Sequence, residues 1–277
     1  MSYQVNAASR RNVELDEMIF PESPRVIYGK NPLQQVICQV RFPAILRIVS
    51  DTPVEFQDKI RAEYPLFAEK REATIRLPEE LTKKLPAEFL AAETAYEFTS
   101  ADEQWTVSLT REFLALSARK YERWEDFSKH LAGPVDALAS IYSPPFWSRT
   151  GLRYQDLIRR SAIELDQVEW KDLLNPQLAG ELSDEQIAAV IEYSRHEFQI
   201  KQNTNGNVRI RHGLVTDQET DEVCYMIDAD FFTEERLEGE NVRNRLNEFN
   251  QEAGRLFRWS ISEKLHTAME PRPAERN

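Results

Sequence analysis

Cysteine is nearly missing from this chain: among 277 residues there are two, Cys38 and Cys224. Both stand in apolar, strand-like runs and read as small buried hydrophobes. Two such distant cysteines make no disulfide framework, and nothing around them has metal-ligand spacing. Glycine is also scarce, at 8 residues, and no Gly-rich loop is present that would let a backbone close on a phosphate. The paired-histidine helix motif, the nucleophile elbow and the Cys-x-x-Cys pair are absent too. The four histidines, His130, His196, His212 and His266, include no pair at ligand spacing. No apolar run approaches the ~20 residues of a membrane helix. Met1–Arg11 is polar and lacks the apolar centre of a secretory leader. These absences lead us to expect a cytoplasmic protein with no cofactor, no membrane contact and no assigned enzymatic activity.

What the chain has in excess is negative charge: 47 Asp and Glu against 35 Lys and Arg, a net −12. Affinity for a phosphate backbone rests on Lys and Arg releasing counterions, so this balance argues against nucleic acid as a partner. A chain of this length hides roughly 70–75% of its unfolded surface, enough for a sizeable core.

Residues 1–27 are polar, end in Pro21-Glu22-Ser23-Pro24 and read as a mobile N-terminal tail. Val36–Phe42 reads as a strand. Phe56, Ile60 and Tyr64 fall at i, i+4 and i+8, which predicts a helix over Pro53–Tyr64. Thr74–Leu77 suggests a strand and Glu79–Leu90 a charged loop or broken helix. Ala95–Thr99, Gln104–Thr110 and Phe113–Tyr121 are three β-rich runs, with a turn at Ala101-Asp102-Glu103. Trp124, Phe127, Leu131, Val135, Leu138 and Ile141 predict a helix over Arg123–Tyr142, kinked or divided at Gly133-Pro134. After Ser143-Pro144-Pro145-Phe146-Trp147 the pattern restarts. Leu152–Ile158 reads as a strand, Trp170–Leu174 as a short helical piece, and Ser183 as the N-cap of a helix running toward Glu192. Tyr193–Asn203, Val208–Thr216 and Glu222–Phe231 are again β-rich, with a hairpin signal at Asn205-Gly206. Leu246, Phe249, Ala253, Leu256, Phe257, Ile261 and Leu265 predict one long helix over Asn241–Met269, stopped by Pro271 and Pro273.

Each half thus reads as β-α-β-β-β-α, opened by a strand that ends in Arg-aromatic: Arg41-Phe42 and Arg153-Tyr154. The expected class is α+β: two pseudo-repeated units forming antiparallel sheet with long helices on one face. A first half over 28–143, a second over 144–270 and a C-terminal tail over 271–277 follow. One long sheet and two separate domains both satisfy the pattern, as do duplication and chance recurrence of common elements.

Three groups are candidate sites. Arg41 and Arg153 lie in apolar strands, and a charge there needs an anion or a carboxylate such as Asp228. A bound anionic ligand, with Arg111 joining the patch, is one reading; a structural ion pair is the other. Asp228 and Asp230 share one strand face, which fits either a divalent-cation site or two solvated acids. Phe146 and Trp147, in the Pro-Pro connector, are candidate interface anchors.

The wording Tyr28-x-Lys30-Asn31-Pro32-Leu33-x-x-Val36 followed by Arg41-Phe42, the middle Gly151-Leu152-Arg153-Tyr154, and the closing Leu256-Phe257-Arg258-Trp259 with Leu265-His266 carry a resemblance. The chain resembles a sporadically distributed, uncharacterised family of prokaryotic proteins of similar length. The resemblance spans nearly everything after the tail and implies no activity, so no functional residue carries over. Patchy distribution is an association with defence loci. The leading expectation is therefore a non-enzymatic interaction protein, binding a protein partner or itself as a dimer, within a phage-defence or toxin-control module. The alternatives are a small anionic ligand or nucleotide sensor built on the central Arg pair, and a metal-dependent hydrolase or nuclease using Asp228 and Asp230.

Overall fold

The computed structural model describes residues 19–73, 92–202, 206–239 and 241–274. Its centre is a nine-stranded antiparallel sheet of order β3-β4-β5-β6-β2-β7-β10-β9-β8. The strands are β2 (Leu33–Arg41), β3 (Leu66–Ala73), β4 (Ala92–Thr99), β5 (Trp105–Leu109), β6 (Phe113–Ala118), β7 (Arg149–Ile158), β8 (His196–Lys201), β9 (Asn207–Thr216) and β10 (Val223–Thr233). A separate pair joins β1 (Val26–Tyr28) to β11 (Pro271–Pro273). The helices are α1 (Arg47–Ser50), α2 (Val54–Ile60), α3 (Trp124–Tyr142), α4 (Pro176–Ala179), α5 (Glu185–Ala188), α6 (Asn241–Ser260) and α7 (Glu263–Ala268). The class is α+β, as the pattern predicts.

The two Arg-aromatic strands meet at the middle of the sheet. β2 and β7 pair antiparallel, with Cys38 opposite Leu152 and Ile37 opposite Arg153. Outward from them run the meanders β6-β5-β4-β3 and β10-β9-β8, so both halves build one sheet rather than two. Period-two alternation sorts the side chains. Val36, Cys38 and Val40 of β2 are buried, as are Leu152, Tyr154, Asp156 and Ile158 of β7. That face meets the helices: α6 lays Leu246, Phe249, Ala253 and Leu256 on β7 and β10, and α3 buries Trp124, Phe127, Leu131 and Leu138 beside α2.

Helix α3 runs unbroken through Pro134. A proline there withdraws the N–H that would bond to the carbonyl of His130. The buried Tyr64 hydroxyl takes its place, donating to that oxygen at 3.0 Å.

Several sequence expectations shift. The N-terminal tail does not extend to residue 27: Phe20 is buried with its ring 5.5 Å from Trp259, and Val26–Tyr28 pairs with Pro273–Pro271. That pairing also takes Pro271–Pro273 out of the expected C-terminal tail. Two proline residues in so short a strand hide the pairing, because they remove ladder donors that a strand pattern relies on. The long closing helix divides at Ile261, where Ser262 caps α7 by accepting from the Leu265 N–H at 3.3 Å. Apolar spacing continues across the break, and so it conceals the cap. Asp184, not Ser183, is the N-cap of the short α5, accepting from the Gln186 and Ile187 N–H groups. The expected elements at Thr74–Leu77 and Glu79–Leu90, and the turn residue Asn205, lie outside the described residues.

Candidate functional site: a cleft beside the central strand

Where β1 crosses the helix layer it leaves a cleft of about 570 Å³. Its walls come from β1 with the following turn, from the start of α3, from β7 and from α6. The size suits a small organic molecule, since ligand pockets run roughly 300–1,000 Å³. A second cavity of about 180 Å³ lies next to it, shares Asn31, and falls below that range.

The sequence shapes the cleft through three local devices. First, β1 is held down by β11, by the bond from the Gly29 N–H to the Glu270 carbonyl (3.1 Å), and by that from the Lys30 N–H to the Met269 carbonyl (3.1 Å). This sets the Tyr28 ring edge-on to Phe257 and brings its hydroxyl within 2.9 Å of His266 Nδ1. Second, α6 presents Asn247 and Asn250, three residues apart and so on one helix face. Asn250 Oδ1 accepts from the hydroxyls of Tyr154 (2.9 Å) and Tyr121 (3.4 Å), and Asn247 Oδ1 accepts from Trp124 Nε1 (2.7 Å). Third, Gly254 lies one turn further along α6, where an added Cβ would meet no atom within 4 Å. The wall is thus aromatic and amide in character. Burial pushes the Tyr28 and Tyr121 hydroxyls up to about 12 and the Tyr154 hydroxyl well above its usual value, so all three are neutral O–H donors.

Asp156 stands apart in this wall. It occupies an inward position of β7 and is 8% exposed. Among the described residues no hydrogen bond or ion pair reaches its carboxyl. Desolvation first, and then the charge of Asp228, push it up to about 8. The other charged residues of the wall are matched: Arg25 with Glu125 (2.6 Å), Arg123 with Asp126 (3.5 Å), Arg255 with Glu252 (2.6 Å), Glu122 with Lys120 (3.8 Å), and Arg258 with Glu263.

The residues singled out from sequence lie elsewhere. Arg41 and Arg153 are on the opposite face of the sheet and do not converge. Arg153 is opposite Ile37, four positions from Arg41, or about 13 Å at strand rise. Arg41 bonds Glu112 (3.2 Å), which Arg111 also approaches (3.5 Å). Arg153 grips buried Asp228 with two bonds of 2.6 Å, and Arg211 reaches the same carboxylate at 3.4 Å. Asp230 bonds Arg149 at 3.0 Å. The two acids therefore serve arginines, and among the described residues no three acid, histidine or cysteine side chains group as metal ligands. Trp147 is buried, edge-on to Phe42, and its backbone exchanges bonds with Leu237. Phe146 is capped by the Arg236 guanidinium at 4.5 Å. The connector anchors the fold's own interior, so it does not offer Trp147 as an exposed anchor.

Asp156 escaped the sequence reading although its signal was present. Alternation along Leu152-Arg153-Tyr154-Gln155-Asp156-Leu157-Ile158 puts Leu152, Tyr154, Asp156 and Ile158 on one side, so an acid shares the apolar face. Tyr28, Asn31, Leu33, Tyr154, Phe257 and Arg258 also line the cleft. No family model, curated protein or solved structure matches the chain. Among the described residues no helix is long and apolar enough to cross a membrane.

Proposed function

We propose that this chain is a non-enzymatic binding protein that takes a small organic ligand in the cleft between β1 and α6. The observation that carries the reading is the unpartnered Asp156 in a wall whose other charged groups are matched. The Asp156 carboxyl oxygens are open to the cleft rather than sealed, and a ligand that bonds them there does so in a low-dielectric wall where such a bond is worth more than in water. The cleft replaces Arg41 and Arg153 as the ligand site, because their guanidiniums are engaged by carboxylates. Gly254 supplies the test. Gly254→Leu projects a side chain into the cleft from a Cβ position with no neighbour within 4 Å, and raises helix propensity by roughly 0.8 kcal/mol. Amines, alcohols and carboxylates sharing aliphatic and aromatic bodies are screened by thermal shift on both proteins. At least one class raises the melting temperature of the native chain, and that rise disappears in a Gly254→Leu protein of equal or higher basal stability. An equal rise in both proteins places binding elsewhere and overturns the reading.

A protein partner is the second reading, and edge strand β3 favours it. Leu66 and Phe67 are 46% and 44% exposed there, and Leu46 and Val54, earlier in the chain, are 70% and 55% exposed. An exposed apolar strand edge is a template for pairing. Self-association, or docking to a neighbour-encoded protein of a phage-defence or toxin-control module, would cover it. Light scattering after size exclusion is expected to show a dimer, or a complex on co-expression with adjacent genes, that Leu46→Lys with Leu66→Lys disperses. A wild-type monomer in both settings removes this reading.

A further inference from the structure

We propose that the cleft is a receptor for an organic ammonium, a primary or secondary amine on an apolar body, with Asp156 as its counter-ion. This rests on the ligand-cleft reading above and names the class of ligand. Three observations converge on it. Asp156 is more than nine-tenths buried, lines the cleft and has no hydrogen-bond or ion-pair partner among the described residues, so the missing group is a donor, and a carboxylate in low dielectric favours a cationic one. The rings of Tyr28, Tyr121, Tyr154 and Phe257 line the same space, and aromatic faces attract ammonium groups while their edges hold an apolar body. Each described arginine of the wall already has a carboxylate, so among the described residues no free guanidinium there awaits an anion. The chain's net −12 adds a field that draws cations in.

The titratable groups around Asp156 are few. Tyr154 shares its strand, Tyr28 faces it from β1, and Arg258 approaches Tyr28 from α6, held by Glu263. Through the sheet, β10 contributes Asp228, whose charge opposes ionisation of Asp156. The adjacent residues of the neighbouring strands are Leu33 and Ile227, neither titratable. In the free protein at neutral pH the carboxyl is therefore mostly protonated, with its usual release delayed until about pH 8. An arriving ammonium favours the carboxylate, so the carboxyl proton leaves to solvent as the cation binds. Binding then releases close to one proton per ligand below pH 7, and affinity climbs about tenfold per pH unit until it levels above pH 8.

Calorimetry tests this with butylamine, 2-phenylethylamine and tryptamine against the full chain. 2-Phenylethanol and 3-phenylpropionate serve as the neutral and anionic analogues. Titrations at pH 6, 7, 8 and 9, each in two buffers of different ionisation heat, count the protons. We expect an amine to bind at least tenfold tighter than both analogues, with proton release at pH 6–7 that fades by pH 9. Asp156→Asn keeps the carboxyl's shape without its charge. It is expected to abolish both the amine preference and the proton release. Equal amine binding by Asp156→Asn, equal binding of the alcohol or the carboxylate, or binding without proton release each overturn the ammonium assignment. If an analogue binds as tightly as the amines and Gly254→Leu blocks it, the ligand cleft stands while the ammonium assignment falls. If no amine and no analogue binds, both fall.

Discussion

Asp156→Asn is expected to stabilise the free protein at alkaline pH by at most about 6 kcal/mol and to remove a pH dependence that the native chain carries. The sign follows from the carboxyl's two environments. Unfolded, Asp156 loses its proton near 3.8; folded, burial and the Asp228 charge hold that proton to about 8. Below pH 4 both states carry it and nothing is lost. Between pH 4 and 8 the unfolded chain has released a proton that the folded chain retains, so unfolding becomes easier as pH rises, at about 1.4 kcal/mol per unit. Above pH 8 both states are ionised and the whole cost stands. Asn is neutral at every pH and never meets it. Water entering the cleft solvates the carboxylate, so the figure is an upper bound. Urea unfolding of both proteins at pH 5, 7 and 9 measures the effect: the gap between them should widen with pH and then level off. Two stability curves that stay parallel would show that the carboxyl ionises in the folded state as it does in water.

The same residue shows where the sequence is legible and where it is not. Long elements declare themselves. The stripe Trp124, Phe127, Leu131, Leu138 gives α3, and Leu246, Phe249, Ala253, Leu256 gives α6, because a periodic apolar face has little choice but to bury. The strands that open each half are also visible, but their pairing at the sheet centre is not, since the pattern fits one long sheet and two separate domains equally well. What stays hidden is decided by distant partners. Nothing near Val26–Tyr28 says that Pro271–Pro273 will pair with it, and without that pairing no cleft forms. Nothing near Asp228 says that Arg153 rather than an anion will meet it, since both satisfy a strand-borne guanidinium equally well. Alternation assigns Asp156 to the inner face. Only the helix layer reveals that Asn250 there is taken by Tyr154 and Tyr121, leaving the acid alone.

The opposite face of the sheet has its own decisive contact. Arg153→Met is expected to cost about 3 kcal/mol, because it strips two charge-assisted bonds from a carboxylate that is only 2% exposed. Arg211 at 3.4 Å remains and places the loss at the lower end for a broken buried pair. Asp228→Leu is expected to be comparably harmful, since it leaves Arg153 without its partner and Arg211 with Glu197 alone at 2.9 Å. The double variant, with apolar groups facing each other, removes both orphans and should lose less than either single change. A strongly sub-additive cycle in urea unfolding therefore identifies Arg153 as a structural cation of the sheet. Additive losses would mean that the two side chains act independently, which would free Arg153 for an anion after all. The Asp156 curve offers an internal check. Removing the Asp228 charge takes away one of the two causes that raise that carboxyl, so in Asp228→Leu the loss of stability with rising pH should level off at a lower pH, and be smaller in total, than in the native chain.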